Sequence, residues 1–101
     1  MKTVWVSGAS TGIGFATANK FLNNNWKVII SSSNYEKILI AKKQLLLKSE
    51  NNELYTYKCD IADRNQVTET VNKITKQIGN INLAILNAAA YTPNKEQTFS
   101  I

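Results

Sequence analysis

Val4-Trp5-Val6-Ser7-Gly8-Ala9-Ser10-Thr11-Gly12-Ile13-Gly14 sets an apolar, β-branched run against a glycine-rich turn, and a helix-compatible segment follows at once. That is the strand–loop–helix order of a loop that cradles phosphate. Gly8 permits a sharp turn where the strand ends. Gly12 offers main chain without a Cβ to an approaching diphosphate, and Gly14 lets the new helix pack tightly on the first strand. The first-turn N–H groups of that helix lack intrahelical partners and sit at the positive end of its dipole, which stabilises an anion by roughly 0.3–1 kcal/mol. A glycine-rich turn with no ligand fits the same spacing, so the surrounding chain has to decide between the two.

Downstream, apolar runs and amphipathic stripes alternate. Residues 4–7 read as a fully buried strand, because the run does not alternate with polar residues. Residues 13–22 read as a helix with Phe15, Ala16, Ala18, Phe21 and Leu22 for packing, closed by Asn23-Asn24-Asn25, a residue type that accepts left-handed caps. A second strand is expected over 26–31. Ser31-Ser32-Ser33-Asn34 then leads into a helix over about 35–48, with Ile38, Ala41 and Leu45 on one face and Leu39 and Leu46 widening the stripe. Residues 54–59 alternate like a strand near a sheet edge. Asp60-Ile61-Ala62-Asp63 follows, with Asp63 as cap of a third helix whose Val67, Val71, Ile74 and Ile78 form a clear stripe. Gly79-Asn80 closes it, and 81–86 form a fourth, almost wholly apolar strand. This β-α-β-α-β-α-β order predicts the α/β class: a Rossmann-like, doubly wound parallel sheet, truncated after the fourth strand.

Composition narrows the function classes. The chain has 101 residues, 44% of them hydrophobic, which suits one globular domain. No apolar run nears the roughly 18 residues that span a membrane. The start of the chain enters a strand directly, without a signal-peptide core, so a cytoplasmic location is the expectation. The net charge is +5, yet the lysines are scattered, with Lys42-Lys43 the only adjacent pair and Arg64 the only arginine. A nucleic-acid footprint would be clustered, so no nucleic-acid or membrane partner is expected. Cys59 is the single cysteine and histidine is absent, which argues against a disulfide or a transition-metal site.

At this point the residues resemble the N-terminal half of the short-chain dehydrogenase/reductase family. Its glycine signature TGxxxGxG is met by Ser7-Gly8-Ala9-Ser10-Thr11-Gly12-Ile13-Gly14, with serine for the first threonine. An acidic residue and an apolar one after the third strand are met by Asp60-Ile61. The family's NNAG after the fourth strand appears as Leu86-Asn87-Ala88-Ala89, with its first asparagine and its glycine replaced. The resemblance implies a nicotinamide cofactor held by Gly8, Ser10, Thr11, Gly12, Ile13 and Gly14 at the diphosphate, by Ser32 and Ser33 at the adenosine ribose, and by Asp60 and Ile61 at adenine. Asn87, Ala88 and Ala89 complete the set. Asn87 would tie neighbouring strands together, and Ala89 adds a methyl group near the ribose. The cofactor is NADP or NAD. Ser32 and Ser33 carry no charge to repel a 2′-phosphate, which leans the choice to NADP, although both serines equally suit a plain turn.

On this resemblance, residues 1–90 are the NAD(P)-binding portion, and 91–101 are a tail leading into a missing remainder. The expected whole is an oxidoreductase that moves a hydride between nicotinamide and a small carbonyl or alcohol substrate. The family's catalytic serine and Tyr-x-x-x-Lys pair would lie further on, so no residue here is assigned to the chemical step. Tyr91-Thr92-Pro93-Asn94-Lys95 matches that pattern in letters only, since Pro93 disfavours helix at Thr92. Without later strands the fourth strand would be an open edge, leaving room for a homo-oligomer. Two rivals remain: a non-catalytic dinucleotide-binding or regulatory module, and an interaction protein that pairs through that edge.

Overall fold

The computed structural model describes residues 1–10, 12–87 and 98–100. Four strands run parallel: β1 (Thr3–Ser7), β2 (Lys27–Ser32), β3 (Leu54–Lys58) and β4 (Leu83–Asn87). The helices α1 (Gly12–Asn23), α2 (Tyr35–Leu47) and α3 (Arg64–Gln77) alternate with them. A short fifth strand, β5 (Thr98–Ser100), completes a sheet of order β3-β2-β1-β4-β5. The Rossmann-like α/β class is therefore observed. None of the described helices is long and apolar enough to cross a membrane.

The pleat sorts each strand's side chains to two faces. Val4, Val6, Val28 and Ile30 form one core with Ala18 and Leu22 of α1 and with Ile38, Ala41 and Leu45 of α2. Trp5, Ile29, Ala84 and Leu86 form the other with Ile74 of α3, and half-buried Val67, Val71 and Ile78 pack against it. Each fully buried Val, Leu or Ile contributes about 1.5–3 kcal/mol relative to exposure. Trp5 is buried with its polar atom satisfied, since the indole N–H donates to Ser31 Oγ at 2.8 Å.

The end of α1 is fixed by local chemistry. Asn25 takes φ +63°, Asn25 N–H donates to Leu22 O, and Trp26 N–H donates to Phe21 O. This is a Schellman cap, whose usual apolar contact appears as Trp26 packed edge-on against Phe21 with ring centroids 4.9 Å apart. Asn51 reaches over from the turn before β3 and donates through Nδ2 to both Leu22 O and Trp26 O, at 2.9 and 2.8 Å. Trp26 thus belongs to the cap, and β2 starts at Lys27.

Two expectations need correction. Leu39 does not widen the buried stripe of α2: it is 41% exposed, and Ile40 and Leu47 are exposed with it, while Leu46 is half-buried. One residue along a helix turns about 100° from Ile38, which carries Leu39 off the sheet. Nor is β4 an open edge. Leu86 pairs with Phe99, Ile85 with Ser100 and Asn87 with Thr98, antiparallel, so part of the stretch read as a tail occupies it. An antiparallel partner needs no crossover helix, and it satisfies main-chain groups that an edge would leave open. An interaction protein pairing through a bare β4 loses its premise.

Three titratable groups on or next to β3 share one sign. A hydrogen bond to Glu53 pushes the Tyr55 phenol up, while burial pushes up the Tyr57 phenol and the Cys59 thiol. Cys59 is buried and free. A raised value means the fold prefers the protonated form, so that stability is complete at neutral pH and is lost as pH climbs past the ordinary thiol and phenol range. The urea midpoint is expected to hold to about pH 8 and to fall above about pH 9. A midpoint that rises between those values and pH 11 would contradict this account.

Candidate functional site

All four parallel strands point their carboxyl ends the same way. The register places Ser7 beside Ser31, Ser32 beside Lys58, and Val6 beside Ile85, two residues short of Asn87. The loops leaving β1, β2 and β3 therefore gather on one rim, with β1 and β4 adjacent where the strand order reverses. That reversal is where open α/β sheets form a ligand crevice.

The glycine loop leaves β1 through Gly8 at φ +65° and enters α1 through Gly12 at φ +63°, a region that L side chains rarely adopt. Gly8 N–H donates to Ser31 O at 3.0 Å, which ties the turn to β2. Among the described residues a Cβ on Gly12 would meet nothing within 4 Å, so they leave the space over this main chain open. Gly14 is the opposite case: a Cβ there would lie 2.2 Å from Gly8 O and 3.1 Å from Ala9 Cα. The helix start is thus pressed onto the strand end. Ala9 is buried, Ser10 half-buried, and Ile13 exposes 82% of its surface.

After β2, Ser32 is buried, and its Oγ accepts from Asn34 N–H at 3.1 Å. Asn34 in turn caps α2, its side chain accepting from Lys37 N–H. Ser33 is exposed and has no hydrogen-bond partner among the described residues. The two serines are therefore not equivalent: Ser32 serves the turn, and Ser33 alone offers an uncommitted hydroxyl.

After β3, Asp60 Oδ1 accepts from Ala62 N–H at 2.9 Å, and Asp60 O accepts from Asp63 N–H at 3.0 Å. Oδ2 of Asp60 has no partner among the described residues. Ile61 is half-buried and packs on the Trp5–Ile74 core. Asp63 caps α3 by accepting from Asn65 and Gln66 N–H. Gln66 was not singled out from the sequence, yet its Oε1 accepts from Asp60 N–H at 2.9 Å and its Nε2 donates to Asp63 Oδ2 at 3.1 Å. The signal was present as Asp63-x-x-Gln66, a capping-box spacing.

The structure thus brings Gly8, Ser10, Gly12, Ile13, Gly14, Ser32, Ser33, Asp60, Ile61 and Asn87 to one rim of the sheet. Thr11, Ala88 and Ala89 lie outside the described residues, as does the Tyr91–Lys95 pentapeptide. Among the described residues, no group of three His, Cys, Asp or Glu side chains is placed to hold a metal ion.

Comparison with known proteins gives a consistent picture. Curated relatives include a sorbose reductase of Candida albicans, 33% identical over 94% of this chain and 34% of the relative. The 15-hydroxyprostaglandin dehydrogenase (NAD(+)) of Mus musculus is 32% identical over 99% of this chain and 38% of its own length. The NADPH-dependent reductase BacG of Bacillus subtilis is 29% identical over 92% of this chain and 36% of its own. Among solved structures, YwfH, an NADPH-dependent reductase involved in bacilysin biosynthesis, superposes with a TM-score of 0.85 at 29% identity, over 93% of this chain and 40% of that one. The chain therefore spans well under half the length of the relatives it matches. The family model described as short chain dehydrogenase matches residues 2–100, and the chain belongs to that family.

Proposed function

We propose that residues 1–90 are the dinucleotide-holding portion of an NAD(P)-dependent oxidoreductase, with 91–101 leading towards the rest of the enzyme. The observation that carries this reading is the loop from Gly8 to Gly14: two glycines at positive φ, an open surface over Gly12, and a helix start facing it. Unpaired first-turn N–H groups and the helix dipole favour a diphosphate there. The uncommitted Asp60 Oδ2 suits an adenine amino group, which needs an acceptor. When bound, the nicotinamide supplies or accepts the hydride that interconverts a small carbonyl compound and its alcohol. This chain's residues hold and orient the cofactor, and none of those described is assigned to the proton transfer. A cytoplasmic setting belongs to the same proposal.

Titration with NADPH and NADH, followed by tryptophan fluorescence and thermal melting, tests this directly. Both are expected to bind and to raise the melting temperature. Gly12→Ala is expected to weaken both at least tenfold and to cost roughly 1–2 kcal/mol in stability, the penalty for an L residue in the left-handed region. No response to either nucleotide up to millimolar concentration from folded protein would overturn the reading.

We propose further that NADP is the preferred form. No carboxylate stands at residues 32–34, and the exposed Ser33 hydroxyl can donate to a 2′-phosphate. The relatives named above include both an NAD(+) enzyme and an NADPH enzyme, so the preference rests on these residues. Ser33→Asp is expected to weaken NADPH roughly tenfold, the equivalent of about 1.4 kcal/mol, and to leave NADH unchanged or tighter. Equal loss for both nucleotides would remove Ser33 from the ribose corner.

A further inference from the structure

Asp60 is held in place by more than its own turn. Its main-chain N–H does not point to a carbonyl: it donates to the side chain of Gln66, six residues on and in the first turn of α3. In a usual capping box the third helical residue reaches back to the N–H of the cap itself. Here the glutamine reaches past Asp63 to Asp60, while its amide group donates to the capping carboxylate. Asp63 N–H closes the same turn on Asp60 O. Asp60 is thereby fixed at N–H, at C=O and at Oδ1, and among the described residues only Oδ2 is left without a partner.

We infer that Gln66 is a positioning residue for adenine recognition, acting through Asp60. This rests on the reading of Asp60 as the adenine acceptor. The physical reason is competition. If the Asp60 N–H lost Gln66, a half-buried donor would be left without a partner and would compete for the carboxylate of Asp60 or of Asp63, both of which already accept in the same turn. Either response disturbs the turn that aims Oδ2. Gln66 touches no cofactor atom in this account. Its contribution is to occupy the Asp60 N–H so that the carboxylate keeps an oxygen for the ligand.

The test compares NADPH with reduced nicotinamide mononucleotide, which lacks adenosine, on the full 101-residue chain. Gln66→Met keeps the length of the side chain and its fit on the helix but removes both hydrogen-bonding groups. It is expected to weaken NADPH about five- to tenfold and to leave the mononucleotide unchanged. Gln66→Glu keeps an acceptor for Asp60 N–H and is expected to recover part of that loss, although its carboxylate faces Asp63. Thermal melting of each variant confirms that it is folded. Asp60→Asn, which replaces the free oxygen or its neighbour with a donor, separates the role of Gln66 from that of Asp60. If Asp60→Asn weakens NADPH and Gln66→Met does not, the role of Gln66 is overturned while the adenine reading stands. If neither variant moves NADPH, the adenine reading falls, and the role of Gln66 with it. Equal loss for both ligands would make Gln66 a structural residue of the whole rim and would also overturn the inference.

Discussion

The contact between Gly14 and the end of β1 is the constraint on which the rest of the site depends. With a Cβ placed only 2.2 Å from Gly8 O, no side chain fits, and neither atom belongs to a flexible group that could swing aside. The helix start therefore lies directly on the strand end. Two consequences follow from that closeness. The N–H groups of the first turn open onto the same rim as the strand ends, and the chain between Gly8 and Gly12 must cross a short gap, which it does through two left-handed glycines. A longer loop would have let α1 drift away from the sheet, and its dipole with it.

The opposite end of α1 is fixed just as firmly, by different means. Asn25, Trp26 and Asn51 together bind the last turn to the start of β2 and to the turn before β3. A helix clamped at both ends between β1 and β2 acts as a rigid strut, so its first turn is held in a fixed place. The buried valines and isoleucines beneath it supply the bulk of the stability, while the polar clamps set its position.

Much of this was legible in the residues themselves. Strand and helix order followed from apolar runs and from the Val67, Val71, Ile74 and Ile78 stripe, since both are statements about period. The cap at Asp63 and the left-handed residue among Asn23–Asn25 followed from side-chain chemistry that acts within a few residues. What could not be read was non-local. Nothing in the letters of Asn51 says that it bridges Leu22 and Trp26, because the partners are 29 and 25 residues away. Leu39 looked like core because it is a leucine beside a core stripe, but one-residue offsets on a helix decide burial. β5 could not be foreseen from a stretch without periodicity, because its pairing depends on the vacant side of β4 rather than on its own pattern. Ser32 and Ser33 looked alike, and only the turn at Asn34 tells them apart.

The rim is thus built on two kinds of precision. At the glycine loop the selection is steric: Gly14 is required because backbone passes close to backbone, and Gly8 and Gly12 because they take positive φ, and all three announce this in the sequence. At Asp60 the selection is by hydrogen-bond accounting. Asp60 has four groups that need partners; among the described residues three are taken within its own turn and by Gln66, and the fourth is left over. A free acceptor next to satisfied neighbours is a sharper recognition element than an unconstrained carboxylate, because it pays no ordering entropy when the ligand arrives. This explains why the spacing of glycines makes one end of the rim visible at a glance, whereas the other end becomes visible only when each donor has been traced to its acceptor.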